Sequence, residues 1–224
     1  MGFSNDMQLL SDLRHVDLTL FRVINQQWIN PVLDRVMPFI SDPQPFIPWL
    51  ALGGLSLLIF GGFRGRLFIL LMVLALVIGD AGINCTIKHA IHRPRPYQSM
   101  EGVRIVKREQ ITLSGPTTLA QDGESFTSGH ACNNVALAFM ACAVYGRSAL
   151  LLWLWAILIS YSRVYTGSHY PSDILGAWMI APLYSWGIVT CLPSLWQKIW
   201  VQWFPKLYAH HPNLFPDSKE RSPC

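Results

Sequence analysis

The chain has 224 residues, of which 51% are hydrophobic and only 13% are charged, and its formal net charge is +4. A soluble domain usually carries about a quarter of its residues as charged side chains, so this chain lacks the polar surface that a water-soluble protein needs. The basic excess is small and no long basic run carries it, which argues against nucleic acid as a partner. The composition predicts an integral membrane protein.

The N-terminal part of the chain, residues 1–42, is predicted to be an amphipathic segment at the membrane interface. Between residues 13 and 40, charged and amide side chains are interspersed with apolar ones, and this mixture is too polar for a typical span. Apolar residues of this stretch fall largely on one helical face: Leu18, Phe21, Val23, Ile24, Trp28 and Ile29. A further transmembrane helix in this part is the alternative that the sequence leaves open.

Five apolar stretches between residues 43 and 192 are predicted to cross the membrane. A hydrocarbon core of about 30 Å requires about 20 apolar residues in a helix. The predicted spans cover residues 43–62, 67–87, 130–145, 148–161 and 174–192, of which the third and fourth are short. Residues 193–224 follow as a tail, with tryptophans spaced as in a helix on the membrane surface. The predicted fold is all-α: one domain over residues 1–224, a polytopic bundle of about five or six transmembrane helices with an amphipathic N-terminal helix.

The predicted crossings place the polar segments of the chain on two faces of the membrane. Residues 93–127, residues 162–172 and the N-terminal helix fall on one face, and residues 61–66, residues 146–147 and the tail fall on the other. Within the first of these loops, residues 103–106 and 111–113 have the apolar runs of a short β-hairpin. The loop is too long for a simple turn, which is typical of a functional segment.

Three polar clusters lie on the same predicted face. They are residues 88–96, residues 125–130 and residues 162–173, and each one lies at the start or end of a predicted span. Each cluster has a structural alternative: Lys and Arg at a span end often anchor at the interface, Ser128 is a suitable helix N-cap, and Asp173 complements a helix N-terminus. Their convergence on one face favours a common function.

The residue types in these clusters suit phosphoryl transfer. Backbone N–H groups at a helix N-terminus bind phosphate, and Arg side chains bind its oxygens in pairs. His169 and Asp173 are four residues apart, so the carboxylate can accept one imidazole N–H and leave the other nitrogen to attack phosphorus. His130 is then available to protonate the leaving oxygen. No set of side chains resembles a metal site, so Lys and Arg must balance the phosphoryl charge.

At these residues the chain closely resembles the type 2 phosphatidic acid phosphatase superfamily, which also includes vanadium haloperoxidases. The family's motifs are KxxxxxxRP, PSGH and SRxxxxxHxxxD, in that order. They stand here as Lys88 to Pro96, Thr127 to His130 and Ser162 to Asp173, with all three spacings kept. The departure is Thr127, which stands where the family usually has a proline that stiffens the turn. This departure puts the rigidity of the turn in doubt more than the mechanism.

The resemblance implies a role for each matching residue and no cofactor or metal. His169 would be the nucleophile, His130 the general acid, and Asp173 the residue that orients His169. The phosphate ligands would be Lys88, Arg95, Ser128, Gly129 and Arg163. The resemblance also implies a membrane lipid phosphatase with its active site on the non-cytoplasmic face, as in a bacterial inner membrane. Positive charge does not decide the orientation, because the two faces carry equal numbers of Lys and Arg once the phosphate ligands are set apart.

Several polar residues outside the motifs carry weaker expectations. Asp80 and Asn84 precede Lys88 by two turns and one turn, so they form either a polar ladder that positions Lys88 or a structural contact to a neighbouring helix. Arg93 either assists phosphate binding or faces headgroups. Four further histidines are expected to be interfacial or solvated: His89, His92, His210 and His211.

The predicted substrate is a lipid phosphate or diphosphate in the bilayer. Polyprenyl diphosphate is preferred over phosphatidic acid or phosphatidylglycerol phosphate, because the 98–125 loop carries Arg104, Lys107 and Arg108, whose charge suits a diphosphate. Within the enzyme class the alternative is a phosphatase for a small soluble ester, and a haloperoxidase is a weaker one. From a different class, the alternative is a catalytically silent membrane protein that binds lipid. Protein partners are not predicted.

Overall fold

The computed structural model describes residues 2–108, 110–115 and 123–215. In these ranges the chain is nearly all helical, as predicted. The α-helices are α1 Gly2–Arg22, α2 Pro31–Ser41, α3 Ile47–Phe60, α4 Gly62–Leu74, α5 Cys85–Ile91, α6 Pro96–Ser99, α7 Gly129–Tyr145, α8 Leu151–Tyr165, α9 Pro171–Trp203 and α10 Pro205–His210. Tighter or wider helical turns connect some of them: π-helices at Val23–Gln27 and Ala75–Asn84, and 3₁₀ turns at Gln44–Phe46 and Gly146–Ala149.

Local sequence signals account for several helix ends. Asn30 precedes α2, and its side-chain oxygen accepts a hydrogen bond from the backbone N–H of Val32 at 2.7 Å, while Pro31 occupies the first helical position. Helix α5 ends before His92, whose φ of 50° leaves the right-handed region. Pro94 follows, and proline disfavours a helical conformation in the residue before it. The chain therefore leaves the second predicted span at the first motif.

Among the described residues, two helical stretches are long and apolar enough to cross a membrane: Gly62–Ser99 and Pro171–Trp203. Pro31–Ser41 and Gln44–Phe60 pass the same test as a pair that bends by 60°, and Leu151–Tyr165 is a shorter apolar helix. The second and fifth predicted spans lie within these helices, the first and fourth overlap with them, and α7 corresponds to the third. The membrane character of the chain is thus confirmed, and the number of spans stays a prediction.

The tail differs from its prediction, because α9 does not end near residue 192. It continues through Pro193 to Trp203, so Trp196, Trp200 and Trp203 lie on the same helix as the fifth predicted span. The separate surface helix expected here is only the short α10. His211, expected to be solvated, is half-buried and stacks on Phe63 with ring centroids 4.0 Å apart.

The chain divides into two compact units. The first consists of residues 1–42, 86–131 and 158–177, and the second of residues 43–85, 132–157 and 178–224. All of the predicted site residues belong to the first unit. The predicted hairpin is also there: β1 Arg104–Val106 pairs antiparallel with β2 Ile111–Leu113.

The core of the first unit is built partly from the N-terminal segment. Phe21 is fully buried and clusters with Val103, Val164 and Tyr170, and Leu18 and Ile24 pack against them. The apolar face expected to meet the membrane interface therefore lies, at these three positions, against protein. A second apolar stripe of α1 is exposed instead: Leu9, Leu13, Val16 and Leu20.

Candidate active site

The third motif forms a tight loop between α8 and α9. The carbonyl oxygen of Arg163 accepts hydrogen bonds from the backbone N–H groups of Ser168 at 3.0 Å and His169 at 3.2 Å. Gly167 has a φ of +78°, and a Cβ there would lie 2.6 Å from the carbonyl oxygen of Arg104. Only glycine fits this backbone conformation and this contact. The loop is thereby closed on Arg163 and packed against β1, which fixes the backbone of His169.

His169 is buried, with 2% of its surface exposed, and its Nδ1 atom lies 2.9 Å from the carbonyl oxygen of Ser125. A carbonyl oxygen only accepts hydrogen bonds, so Nδ1 carries the proton and Nε2 keeps its lone pair. The nearer carboxylate oxygen of Asp173 is 3.6 Å from Nδ1, too far for a good hydrogen bond. The carboxylate expected to orient His169 therefore acts on it mainly through its charge, and the Ser125 carbonyl is the direct partner.

Asp173 is fully buried and is held by three hydrogen-bond donors. Its Oδ1 accepts from Arg93 at 2.6 Å, and its Oδ2 accepts from the Ser125 hydroxyl at 2.5 Å and from the Tyr170 backbone N–H at 2.9 Å. The imidazole of His169 is not among these donors, because its Nδ1 lies 3.6 Å from Oδ2. Because Asp173 is the third residue of α9, its bond to Tyr170 is one half of a capping box. Ser125 contacts both His169 and Asp173, through its carbonyl and its hydroxyl.

The surroundings of His169 favour the neutral imidazole. Burial lowers the pKa of His169, and the positive charges of Arg163 and Arg95 lower it further, whereas the Asp173 carboxylate raises it; the result is a pKa of about 4. A neutral imidazole at physiological pH is the form that can attack phosphorus.

The second motif meets the start of α9 and leads into α7, which begins at Gly129. The Ser128 backbone N–H donates to the carbonyl oxygen of Asp173 at 3.4 Å. Thr127 is fully buried, and a Cβ added at Gly176 of α9 would lie 3.3 Å from its methyl carbon. This close packing supports the turn at the position where the family has proline. His130, the next residue of the motif, is half-buried in the first turn of α7.

Two of the predicted phosphate ligands have unsatisfied polar atoms. Within the described ranges, four buried side-chain polar atoms have no hydrogen-bond partner, and two of them are Ser128 Oγ and Arg163 Nε. Buried donors are nearly always bonded, so such atoms call for an explanation. The rest of the Arg163 guanidinium is anchored, since one Nη donates to the Ser41 hydroxyl at 2.5 Å.

The remaining predicted ligands lie on the same segment of the chain. Arg95 immediately precedes α6, and its backbone N–H donates to the Gln98 side chain at 2.8 Å. Lys88 lies in the last turn of α5 and is half-buried. Both belong to the same compact unit as His169. In the part of the chain that the structure describes, no group of three or more His, Cys, Asp or Glu side chains is arranged to hold a metal ion.

Two cations of the 98–125 loop are paired with carboxylates of the protein. The sequence predicts instead that their charge attracts a diphosphate. Arg104 donates to both oxygens of Asp34 at 2.9 Å, and Arg108 lies 3.3 Å from Asp42. Their positive charge is therefore largely neutralised within the protein. Arg104 and Arg108 therefore no longer support a diphosphate substrate.

Sequence reasoning missed the role of Arg93 and the N-terminal helix. Arg93 forms ion pairs with Asp173 and, at 2.7 Å, with Asp17 of α1. The motif of the family skips Arg93, and no spacing rule connects residue 17 to residue 93. The repeated Arg-Pro of residues 93–96 is the sequence feature that could have drawn attention to Arg93. Neither expectation for Arg93, phosphate or headgroups, included a structural carboxylate.

A polar cluster inside the second unit contains Asp80, for which the sequence leaves two roles open: positioning Lys88 or bonding to a neighbouring helix. The Asp80 carboxylate accepts from Asn84 at 3.4 Å and from Asn133 of α7 at 3.2 Å. Asn84 is fully buried and accepts from the thiol of Cys132. These contacts are the structural hydrogen bonds to a neighbouring helix that formed one of the two alternatives.

A family model described as the PAP2 superfamily matches residues 66–197, which is more than half of the chain and includes every motif residue. The chain belongs to the PAP2 superfamily. It is 29% identical over 176 residues to an undecaprenyl-diphosphatase of Sulfolobus acidocaldarius, covering 73% of this chain and 72% of the relative. It is also 29% identical over 200 residues to a putative undecaprenyl-diphosphatase, YbjG, of Escherichia coli, covering 88% of both.

A solved structure has the same fold. The crystal structure of a transmembrane PAP2-type phosphatidylglycerolphosphate phosphatase from Bacillus subtilis superposes with a TM-score of 0.57 at 19% identity, covering 84% of this chain and 89% of that one. At this identity the likeness speaks for the fold alone. With the family and the apolar helices, the chain is an integral membrane phosphatase of the lipid phosphatase type.

Proposed function

We propose that this PAP2 protein hydrolyses a lipid phosphate or diphosphate through a phosphohistidine on His169. Nε2 of His169 attacks phosphorus and the bond from phosphorus to the leaving oxygen breaks. His130 donates a proton to that oxygen as it leaves. Water then attacks the phosphohistidine, His130 takes a proton from it, and inorganic phosphate and free His169 are released. Asp173 and the Ser125 carbonyl keep Nδ1 protonated and Nε2 directed at the substrate.

The unpartnered donors of Ser128 and Arg163 are the main support for this proposal. Phosphate oxygens would accept from these atoms and remove the cost of leaving them buried and unbonded. Gly129 would add a backbone N–H at the start of α7, where an anion is favoured. Arg95 and Lys88 would supply further positive charge. Charge that develops on the transferring phosphoryl group would then meet preorganised donors, which is how such sites lower a barrier.

We propose a polyprenyl diphosphate as the preferred substrate, ahead of phosphatidic acid or phosphatidylglycerol phosphate. The names of the Sulfolobus and Escherichia relatives point to an isoprenoid diphosphate. The membrane location supports a lipid, since each acyl or prenyl CH₂ that stays in hydrocarbon saves about 0.8 kcal/mol of exposure to water. A soluble phosphate ester would gain nothing from an apolar surrounding. A soluble phosphate ester is therefore the second candidate substrate, and the activity assay below distinguishes it from a lipid.

We also propose five spans, with α1 lying along the membrane surface and the active site on the non-cytoplasmic face of a bacterial inner membrane. The exposed stripe of α1 supports a surface position, because Leu9, Leu13, Val16 and Leu20 lie at the spacing of one helical face. The charged and amide residues of the N-terminal part argue against a sixth span there. Orientation is tested by labelling a cysteine introduced by Leu113→Cys, since Leu113 is exposed in β2 whereas the neighbouring Ser114 is buried. Labelling in intact cells is expected, and labelling only after lysis would reverse the orientation.

Phosphate release by the purified protein in detergent micelles tests the proposed activity. Long-chain polyprenyl diphosphate should exceed a short-chain soluble analogue in kcat/KM by more than about tenfold, because of the CH₂ contribution above. Orthovanadate should inhibit as a mimic of the trigonal bipyramidal transition state, and a chelator should leave the rate unchanged. Equal efficiency on a sugar phosphate would favour the soluble-ester function. No phosphate release from any member of the panel would favour a lipid-binding protein without catalysis.

A further inference from the structure

The N-terminal helix α1 contributes a buried carboxylate to the neighbourhood of the active site. Asp17 lies on α1, outside the residues 66–197 that define the family match, and only 8% of its surface is exposed. Its two oxygens accept three hydrogen bonds: from the Ser172 backbone N–H at 2.8 Å, from the Ser172 hydroxyl at 2.6 Å, and from Arg93 at 2.7 Å. Asp17 therefore binds the first turn of α9, one residue before Asp173.

Arg93 connects Asp17 to Asp173 with the two ends of one guanidinium group. One Nη bonds Asp17 at 2.7 Å, and the other bonds Asp173 at 2.6 Å and the Ser172 hydroxyl at 2.7 Å. The guanidinium carbon lies 4.1 Å from the centre of the Tyr170 ring. A planar guanidinium can bridge two carboxylates in this way, whereas the compact ammonium of lysine cannot. All of these groups belong to the same compact unit as His169.

The chain of contacts ends on the imidazole. Asp173 accepts from the Ser125 hydroxyl, and the Ser125 carbonyl accepts from Nδ1 of His169. Movement of Asp173 would therefore shift both the charge and the direct partner that orient His169. The two carboxylates of Asp17 and Asp173 share the single positive charge of Arg93. Removing the Asp17 carboxylate therefore changes the position of the guanidinium and its hydrogen bond to Asp173.

We propose that Asp17 is a positioning residue for the nucleophile: through Arg93 and the first turn of α9, it holds Asp173 and Ser125 where they orient His169. The inference rests on the proposed function of His169. It gives one residue of α1, Asp17, a supporting role for the active site, although this helix lies outside the family match. Asp17 acts through other residues and contacts neither substrate nor reacting atoms.

Asp17→Asn tests the proposal, with Asp12→Asn as its matched control. Asparagine has the shape of aspartate and still accepts from the Ser172 N–H, but it cannot pair with Arg93. Asp12 is on the same helix and exposed, so its substitution changes the same charge without touching the site. We expect kcat of Asp17→Asn to fall about ten- to a hundredfold, the range that a small misplacement of a reacting group produces. KM should stay within about threefold, and Asp12→Asn should match the unsubstituted protein.

Two inhibitors separate positioning of the nucleophile from a general loosening of the site. Orthovanadate must bond to Nε2 of His169, whereas inorganic phosphate needs only the phosphate ligands. The Ki for orthovanadate should therefore rise in Asp17→Asn by about the same factor as kcat falls, and the Ki for phosphate should not change. Equal increases in both Ki values would mean that Asp17 merely supports the fold, and would overturn the proposal.

Combined substitutions test whether Asp17 and Arg93 act as one unit. Arg93→Gln with Asp17→Asn should be no more impaired than Arg93→Gln alone, because the two changes break the same contact. Asp17→Glu keeps the negative charge, so its kcat should be higher than that of Asp17→Asn. Arg93→Lys keeps the positive charge, but its kcat should be as low as that of Arg93→Gln. If Asp17→Asn fails to fold, Arg93→Lys takes its place with the same inhibitor comparison and the same expected loss of kcat.

The outcomes for the inference and for the proposed function differ. If the unsubstituted protein releases phosphate and His169→Ala does not, but Asp17→Asn and Arg93→Lys keep kcat within twofold, the inference fails and the proposed function stands. If the unsubstituted protein releases no phosphate, the proposed function fails and the inference fails with it. Loss of kcat with an unchanged phosphate Ki supports both.

Discussion

The two compact units of the molecule differ in what they bury. Among the residues that the structure describes, the buried polar side chains belong almost entirely to the first unit, and Asn84 and Ser185 are the two that belong to the second. The second unit exposes long runs of large apolar side chains on α3, α4, α8 and α9, whereas the first unit exposes such side chains mainly on α1 and α2. Such surfaces suit hydrocarbon, where apolar side chains need no burial against protein.

The difference shows two ways of satisfying polar groups in one chain. In the first unit, Asp17, Asn25, Asp34 and Ser41 of the N-terminal segment each bind a residue on another segment. These bonds hold charged groups in fixed positions, as catalysis requires. In the second unit the backbone bonds within its own helices, and few side chains need polar partners. Substitutions of buried polar residues in the first unit should therefore change catalysis, and those of buried residues in the second should change stability.

The largest expected effect comes from the nucleophile, with an exposed histidine of the second unit as its control. His169→Ala should lower kcat by at least about 1,000-fold, since loss of a nucleophile removes the covalent route. His210→Ala, in the exposed tail helix α10, should leave kcat unchanged. The measurement is phosphate release from a lipid phosphate in micelles, with folding checked by size exclusion. Retained activity in His169→Ala would refute the mechanism and remove the basis of the comparison.

His130 is expected to matter according to the leaving group. His130→Ala should be strongly impaired on an alkyl phosphate, whose leaving oxygen needs a proton. It should keep much more of its activity on an aryl phosphate with a good leaving group, by a factor of about 100 or more, which is the usual contribution of general acid catalysis. The two substrates are compared in the same micelles. An equal loss on both would assign His130 to another role.

Arginines of the two units provide the next comparison. Arg163→Gln removes the unpartnered Nε and a positive charge beside His169, so kcat/KM should fall about 100- to 1,000-fold, as for other lost electrostatic donors. Arg147→Gln changes an exposed arginine of the second unit and should change kcat/KM by less than about twofold. A small effect of Arg163→Gln would mean that its buried Nε has a structural partner in the working enzyme instead of a phosphate oxygen.

The pH dependence of the same variant sharpens this comparison. The pKa of His169 is about 4, because burial and the charges of Arg163 and Arg95 outweigh the effect of Asp173. The nucleophile is thus neutral above that value, and kcat/KM should fall only as the pH drops through about 4. In Arg163→Gln one repelling charge is gone, so the acid limb should move to higher pH. Ionisation of the substrate also affects the pH profile, but it is the same for both proteins and is measured by phosphorus NMR. An acid limb near the ordinary histidine value of about 6.5 in the unsubstituted protein would contradict the buried, neutral imidazole.

Sequence patterns predicted the elements of the fold well and their contacts poorly. Hydropathy located the apolar helices, and the β-hairpin in the 98–125 loop was placed within a residue of β1 and β2. The helix that contains the fifth predicted span extends beyond residue 192, to Trp203. Inside a helix proline removes one backbone hydrogen bond, yet α9 continues through both Pro182 and Pro193, as helices near or in a membrane tolerate.

For the site, the motif residues could be recognised but not their direct partners. The spacing of four between His169 and Asp173 predicted a contact, and they do lie close. The nearer partner of Nδ1 is the Ser125 carbonyl, and backbone carbonyls have no sequence signature. Asp17 and Arg93 are 76 residues apart, and only the folded chain brings them together. Local periodicity therefore predicts where the helices are, whereas contacts between distant segments depend on the three-dimensional packing and cannot be predicted from it.

The smallest effect on catalysis is expected at Asp80, an acid inside the apolar stretch of the second unit. Its carboxylate accepts from two amide donors, those of Asn84 and Asn133. Asp80→Asn replaces one acceptor oxygen by an NH₂ group that faces a donor, so one of these bonds is lost and a buried donor is left unbonded. The free energy of unfolding should fall by about 1–3 kcal/mol, measured as a lower midpoint of thermal unfolding in detergent. Activity should stay within about threefold, because the observed partners of Asp80 belong to the second unit and not to the phosphate ligands. A rise of tenfold or more in the Ki for inorganic phosphate, with an unchanged unfolding midpoint, would instead support a polar ladder that positions Lys88, and the separation of roles between the two units would fail there.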